Sequence, residues 1–188
     1  MNINNISYAL SEEELLKRMR LLRFMEPIHE GDIREDSATA ERWLREHLRR
    51  EYMELLLTTE ADRLPQTDLT ADVTVEKTAP GIREIILPKG TLAVTEIKMK
   101  GDLGTARIVN DGSACSSAQR SQFARGGECE PVAIARQGGR ITVYGGREEE
   151  SDEAERVMGV RMPENGVYML TPQIEQELTK RLSDYENR

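Results

Sequence analysis

Apolar residues recur every three or four positions along the first third of the chain. Such a stripe starts at Leu15, directly after Ser11 and Glu14, which have the spacing of a capping box. This pattern predicts a helix over residues 12–25. A longer stretch with the same period predicts a second helix over residues 38–60. Since a dozen or so mostly polar residues join them, the two helices are expected to pair as a helical hairpin.

From about residue 67 the period of the pattern changes to two. Apolar and polar residues alternate in TADVTVEK, TLAVTEIKM, ARIVND, PVAIARQ and RITVYG. Alternation of this kind predicts short strands, and the pair Gly138-Gly139 predicts a tight hairpin turn between the last two. We expect an antiparallel sheet of five or six strands, with VMGVRMP at 157–163 as a further edge strand.

The helical period returns after Thr171-Pro172, a strong start signal with a capping threonine and a proline in the first turn. A helix that carries one apolar stripe either packs on its own domain or contacts another chain, and the pattern favours neither. The stripe provides the candidate interaction residues, which are Ile174, Leu178, Leu182 and Tyr185.

These elements indicate the α+β class, with an N-terminal helical hairpin, a small antiparallel β-sheet and a C-terminal amphipathic helix. The length of 188 residues suits one domain. We predict a single domain over 1–188 with four subregions: a helical part at 1–66, the sheet at 67–147, an acidic loop and short strand at 148–170, and the terminal helix at 171–188.

Composition narrows the function classes. Only 38% of the residues are hydrophobic and 4% are aromatic, which is a lean core for a compact monomer. The net charge of −8 argues against a general nucleic-acid binder, because such proteins need a basic patch. No apolar run is long enough to span a bilayer and no signal peptide is visible, so we expect no membrane association.

One segment, 147–156, is strongly acidic. A solvated loop is the favoured interpretation of such a run. Its carboxylates are Glu148, Glu149, Glu150, Asp152, Glu153 and Glu155.

Candidate chemistry is sparse. Cys115 and Cys129 have no metal-ligand spacing, and reduced thiols are the favoured state, with a disulfide left open. The two histidines are His29 and His47, and neither one nor a Cys115/His47 pair lies in an activating context. No glycine pair has a nucleotide-binding pattern. From these observations together we predict no catalytic residue, no metal site and no cofactor.

A resemblance adds to this picture. The hairpin has the pattern P-V-x-I-x-x-x-G-G-R-I-x-V-Y, formed by Pro131, Val132, Ile134, Gly138, Gly139, Ile141, Val143 and Tyr144. Together with the order of helices, sheet and terminal helix, it resembles the ring or adaptor proteins of short-tailed bacteriophages, including crAss-like phages. The close match is confined to the hairpin, and the architectural match covers the whole chain loosely.

The resemblance implies a non-enzymatic virion protein, assembled in the host cytoplasm, that forms a head-to-tail connector ring beneath the portal. Implied partners are identical copies, usually twelve, the portal protein, adjacent tail or ring proteins, and DNA that passes without sequence-specific binding. The six carboxylates of 148–155 would be candidates for the channel lining, and an outer loop fits them equally well. The terminal helix would contact the portal or a neighbouring subunit.

Two other interpretations stay open. One is a bacterial α+β protein that binds a peptide or protein partner through its C-terminal helix. The other is a hydrolase that uses Cys115 as its nucleophile.

Overall fold

The computed structural model of the protein describes residues 7–23, 36–121, 123, 125, 129–145 and 153–184. Helices and sheets occur together, which confirms the α+β class. In chain order the elements are β1 (Tyr8–Ser11), α1 (Glu12–Arg23), α2 (Asp36–Thr58), β2 (Thr67–Asp68), β3 (Thr74–Ala79), β4 (Ile82–Ile86), β5 (Thr91–Met99), β6 (Arg107–Asn110), α3 (Ala114–Ala118), β7 (Val132–Arg136), β8 (Arg140–Tyr144), β9 (Ala154–Arg161), β10 (Val167–Leu170) and α4 (Pro172–Asp184).

The three predicted long helices are present. The capping box of α1 forms as predicted, since the Glu14 amide donates to Ser11 Oγ at 3.2 Å and the Ser11 amide donates to the Glu14 carboxylate at 3.1 Å. Residues 24 and 25 of the predicted helix lie outside the described residues. Helix α2 begins and ends two residues earlier than predicted. Helix α4 begins at the predicted cap, where Thr171 Oγ1 accepts from the Ile174 amide at 3.3 Å.

The chain divides into two compact units. The first unit comprises 1–65 and 162–188, and the second unit comprises 66–161. The chain leaves the first unit after Pro65 and returns to it at Met162, so the second unit is an insertion in the first. Helix α4 therefore belongs to the same unit as α1 and α2. The single domain with consecutive subregions stays a prediction.

The first unit combines three helices with a two-stranded ribbon. Strand β1, which the hydrophobic pattern did not predict, pairs antiparallel with β10. The Tyr52 hydroxyl donates to the Met169 carbonyl at 2.6 Å, and its ring meets that of Tyr168 edge-on, with centroids 4.9 Å apart. These contacts join α2 to the ribbon. The buried core of this unit includes Leu15, Leu48, Tyr52, Leu55, Tyr168, Leu170, Ile174, Leu178 and Leu182.

The second unit contains two sheets, and here the sequence prediction of one antiparallel sheet was wrong. A three-stranded sheet has the order β2-β9-β5, and a five-stranded sheet has the order β3-β4-β8-β7-β6, with β6 and β7 parallel. The predicted edge strand at 157–163 corresponds to β9, which lies between two neighbours. It is central because β2 and β5 both pair with it, and Val157, Gly159 and Val160 are buried there. Gly159 allows the close approach of β5, since a Cβ there would lie 2.6 Å from the Ala93 carbonyl oxygen.

One face of the five-stranded sheet shares a hydrophobic core with the three-stranded sheet. Ile85, Ile141 and Val143 come from the larger sheet, and Ile97 and Val157 come from the smaller one. All five are at most 2% exposed. The opposite face of the five-stranded sheet, here called the outer face, carries the alternate residues of the same strands.

The predicted glycine hairpin is confirmed. Strands β7 and β8 pair antiparallel, with Val132 opposite Tyr144. Three residues, Gln137, Gly138 and Gly139, connect the paired Arg136 and Arg140. Gly138 and Gly139 have φ angles of 79° and 73°, in the left-handed region that glycine adopts without strain.

Helix α3 connects the parallel strands β6 and β7, because parallel neighbours need a crossover rather than a tight turn. The helix begins after Ser113, which caps it by accepting from the Ser116 amide at 3.1 Å. Cys115 packs against Val132, Ile134 and Tyr144, so α3 lies on the outer face.

Candidate interaction surfaces

The apolar stripe of the C-terminal helix is covered within its own unit. Ile174, Leu178 and Leu182 are 4%, 0% and 5% exposed, and α4 packs against α2. Arg181 of α4 also pairs with Glu54 of α2 at 3.2 Å. The fourth stripe residue, Tyr185, lies outside the described residues. The three described side chains thus already have a packing role in the first unit, and their contact with another chain stays a prediction.

A buried carboxylate ties the elements of the first unit together. Glu12, 7% exposed, accepts from Arg49 at 2.7 Å, from Arg45 at 3.1 Å and from the Tyr168 hydroxyl at 3.2 Å. The hydrogen bond from Arg49 is the main reason that the pKa of Glu12 lies below its usual range. Burial raises the pKa of Tyr168 to about 12. Sequence reasoning missed this cluster because its members are far apart along the chain.

The acidic segment is described only in part. Glu153 pairs with Lys100 at 2.8 Å, and Glu155 pairs with Lys98 at 2.6 Å. The charges of these two carboxylates are therefore partly offset by lysines. The other four channel-lining candidates, Glu148, Glu149, Glu150 and Asp152, lie outside the described residues.

The candidate catalytic residues are engaged in ordinary packing. Both cysteines are free thiols, and Cys115 is half-buried against the outer face. The His47 ring stacks on Trp43 with centroids 3.8 Å apart, and its Nδ1 lies 2.9 Å from the Trp43 carbonyl oxygen. His47 belongs to the first unit and Cys115 to the second, while His29 lies outside the described residues. The described part of the chain brings together no group of three potential metal ligands and contains no helix able to cross a membrane.

Five arginines surround the outer face, and we call this set the arginine surface: Arg107, Arg120, Arg125, Arg136 and Arg140. The strand register puts Arg107, Val132, Tyr144 and Ile82 in one row across the sheet. The Arg125 guanidinium lies 5.8 Å from the centroid of the Tyr144 ring, within the range of a cation–π contact.

At the other end of the hairpin, Arg136 lies directly opposite Arg140. Each of the two is held by a carboxylate. Asp111 pairs with Arg136 at 2.6 Å, and Glu84 pairs with Arg140 at 2.9 Å. The hydrogen bond from Arg136 keeps the pKa of Asp111 below its usual range. Sequence reasoning missed the arginine surface. A signal was present, since residues 103–145 contain five arginines against three acidic residues.

Both units also expose large apolar side chains. In the first unit, Trp43 and Leu57 are 38% and 68% exposed. They lie almost four helical turns apart on the same face of α2, about 21 Å along the axis. In the second unit, Leu103 is 66% exposed and Phe123 is 100% exposed. Isolated exposed apolar residues are common on protein surfaces, but a fully exposed phenylalanine is a good candidate for a contact with a partner.

Compared with known proteins, the chain matches no family model and no curated sequence.

Proposed function

We propose that the chain is a non-enzymatic structural subunit that assembles with identical copies into a ring. In this proposal the ring is a head-to-tail connector of a short-tailed, crAss-like bacteriophage, placed beneath the portal and forming part of the DNA channel. The helical hairpin, the antiparallel strands and the terminal helix would then be the counterparts of the same elements in the connector proteins that the sequence resembles.

The observation that carries the proposal is the exposure of large apolar side chains on both units. A head-to-tail ring needs two different contact surfaces on each subunit. Leu57 on the first unit and Phe123 on the second are available for such surfaces. Burying each would contribute roughly 1.5–3 kcal/mol. Together they would strengthen association by roughly two to four orders of magnitude before ordering costs.

Mass photometry and native mass spectrometry of the purified chain test the proposal. We expect a closed oligomer in the wild type, and a shift to monomer in Leu57→Ser and in Phe123→Ser. Glu60→Ser and Lys89→Ser, which alter exposed polar residues of the first and second unit, are the matched controls and should assemble normally. Circular dichroism should be unchanged throughout, because all four side chains are exposed.

A wild type that stays monomeric at every concentration, and that does not bind portal protein, would contradict the proposal. The alternative, a bacterial α+β protein that binds a peptide or protein partner through its C-terminal helix, is less favoured because the described stripe of α4 is already packed within its own chain. A stable monomer that binds a protein partner through α4 would support this alternative. If assembly occurs but neither serine variant weakens it, the exposed apolar residues are not the contact.

A further inference from the structure

Charge is distributed unevenly along this acidic chain. The first unit contains 13 Lys and Arg against 19 Asp and Glu, a net charge of −6. Within the second unit, residues 103–145 contain five arginines against Asp111, Glu128 and Glu130, a net charge of +2. The positive part thus lies in one segment of a protein whose total charge is −8.

The fold gathers this positive segment around one face. Strands β6, β7 and β8 are neighbours in the five-stranded sheet, and α3 lies on their outer face. Arg107 begins β6, and Arg120 follows the end of α3; both are exposed. Neither guanidinium has an acidic partner among the described residues. Their charges are therefore available to a partner.

The other three arginines are held in place. The Arg125 Nε donates to the Gln119 carbonyl at 3.1 Å, while Arg136 and Arg140 are anchored by their carboxylates. A surface whose arginines are already ordered loses less side-chain entropy when a partner binds. It also presents ordered donors to incoming carboxylates.

From this arrangement we infer that the arginine surface is where the acidic first unit of a second copy of the chain docks. The inference rests on the proposed function, since it names the contact that would build the ring. Two copies cannot dock through the arginine surface on both sides, because like charges would then face each other across a two-fold axis. The contact is head-to-tail, the type that closes into a ring when the rotation between subunits permits.

Nucleic acid is the less suitable occupant of the same surface. Glu84 and Asp111 lie among the arginines, and a nucleic acid would bring only phosphates to these carboxylates, whereas the first unit of another copy carries Lys and Arg as well as Asp and Glu. Electrostatic attraction to the first unit of another copy acts over about 8 Å at physiological salt. Added salt should therefore weaken assembly.

The test is the oligomeric state of single charge-reversal variants of the full chain. Arg107→Glu and Arg120→Glu should each weaken self-association more than tenfold at 50 mM NaCl, as measured by sedimentation velocity. The matched control is Lys77→Glu, which makes the same charge change at an exposed position of β3, the edge strand of the five-stranded sheet that lies farthest from β6. It should assemble like the wild type, and 500 mM NaCl should weaken wild-type assembly.

The outcomes separate the inference from the function on which it rests. Rings that persist in both arginine variants would overturn the inference and leave the proposed function standing. A wild type that is monomeric at all concentrations would overturn both. If the variants assemble normally but no longer bind a short DNA duplex that the wild type binds, the arginine surface is a nucleic-acid site and the inference is wrong. Unchanged thermal melting of all variants would show that the changes leave the fold intact.

Discussion

Replacing Asp102 by alanine should strongly destabilise the second unit, because it removes the counter-charge of a buried arginine. Arg83 Nη1 lies 3.2 Å from Asp102 Oδ1, and the two side chains are 3% and 0% exposed. Arg83 stands on β4 two residues before Ile85, on the side of the sheet that faces the shared core. A positive charge at this position has little access to water.

The expected magnitude follows from this burial. Removing one partner of a buried ion pair typically costs about 3–5 kcal/mol, since a desolvated charge is left behind. An exposed pair in the same unit provides the scale for comparison. Asp72 and Arg161 lie 2.9 Å apart with side chains 51% and 20% exposed, and such pairs contribute about 0.2–1 kcal/mol.

Urea unfolding followed by circular dichroism measures both effects. With a slope of about 2 kcal/mol per M, Asp102→Ala should lower the midpoint by roughly 1.5–2.5 M. Asp72→Ala should lower it by less than about 0.5 M. The double variant Arg83→Met/Asp102→Leu should unfold close to the wild type, because replacing both charges by apolar groups removes the desolvation penalty together with the attraction.

Equal midpoints for Asp102→Ala and Asp72→Ala would refute this reasoning. They would mean that the buried arginine regains its hydration or another counter-charge at little cost. A double variant that is far less stable than Asp102→Ala alone would refute it as well, because the pair would then contribute more than two apolar side chains can replace.

Three further predictions concern stability. The lowered pKa of Glu12 means that its contribution to stability is present above the unfolded-state pKa of about 4.3 and is lost as the pH falls through its folded-state pKa. Glu12→Gln should therefore flatten the acid side of a plot of melting temperature against pH, and an unchanged acid limb would contradict this. Gly159→Ala should destabilise the chain by about 1–3 kcal/mol in thermal melts, since the new methyl group would lie 2.6 Å from the Ala93 carbonyl oxygen. A melting temperature equal to that of the wild type would mean that β5 moves aside freely. Leu178→Ala should lower the free energy of unfolding by about 2–5 kcal/mol, because this side chain is fully buried. The control Gln176→Ala changes a neighbour that is partly exposed and should stay within about 0.5 kcal/mol of the wild type. Equal values for the two variants would mean that α4 does not pack as the structure has it.

Local signals predicted local structure well. The Ser11–Glu14 capping box, the Thr171 cap and the glycine pair of the hairpin each specify a conformation within a few residues, and each forms. Hydrophobic periodicity placed α1 and α2 to within two residues at each described end. The α+β class followed from these elements.

Pairings between distant segments were harder to predict. Nothing in ARIVND distinguishes a strand that pairs parallel with β7 from one that pairs antiparallel, because the side-chain alternation is the same in both. Likewise, the central place of β9 depends on partners some 60 to 90 residues away, as in the pairings of Gly159 with Thr67 and Val94. The burial of the α4 stripe also depends on a distant segment. The stripe itself was visible in the sequence, but its packing against α2 was not.

The insertion of the second unit has a consequence for synthesis on the ribosome. Tyr8 pairs with Leu170, so the ribbon β1–β10 has to wait until roughly 160 further residues have been translated. At about 5–20 residues per second, that delay is roughly 8–32 s. During this time the apolar faces of α1 and α2 lack the ribbon and α4, whereas the second unit is synthesised in full before β10 is. Nascent chains should therefore depend on chaperones until the last helix closes the first unit.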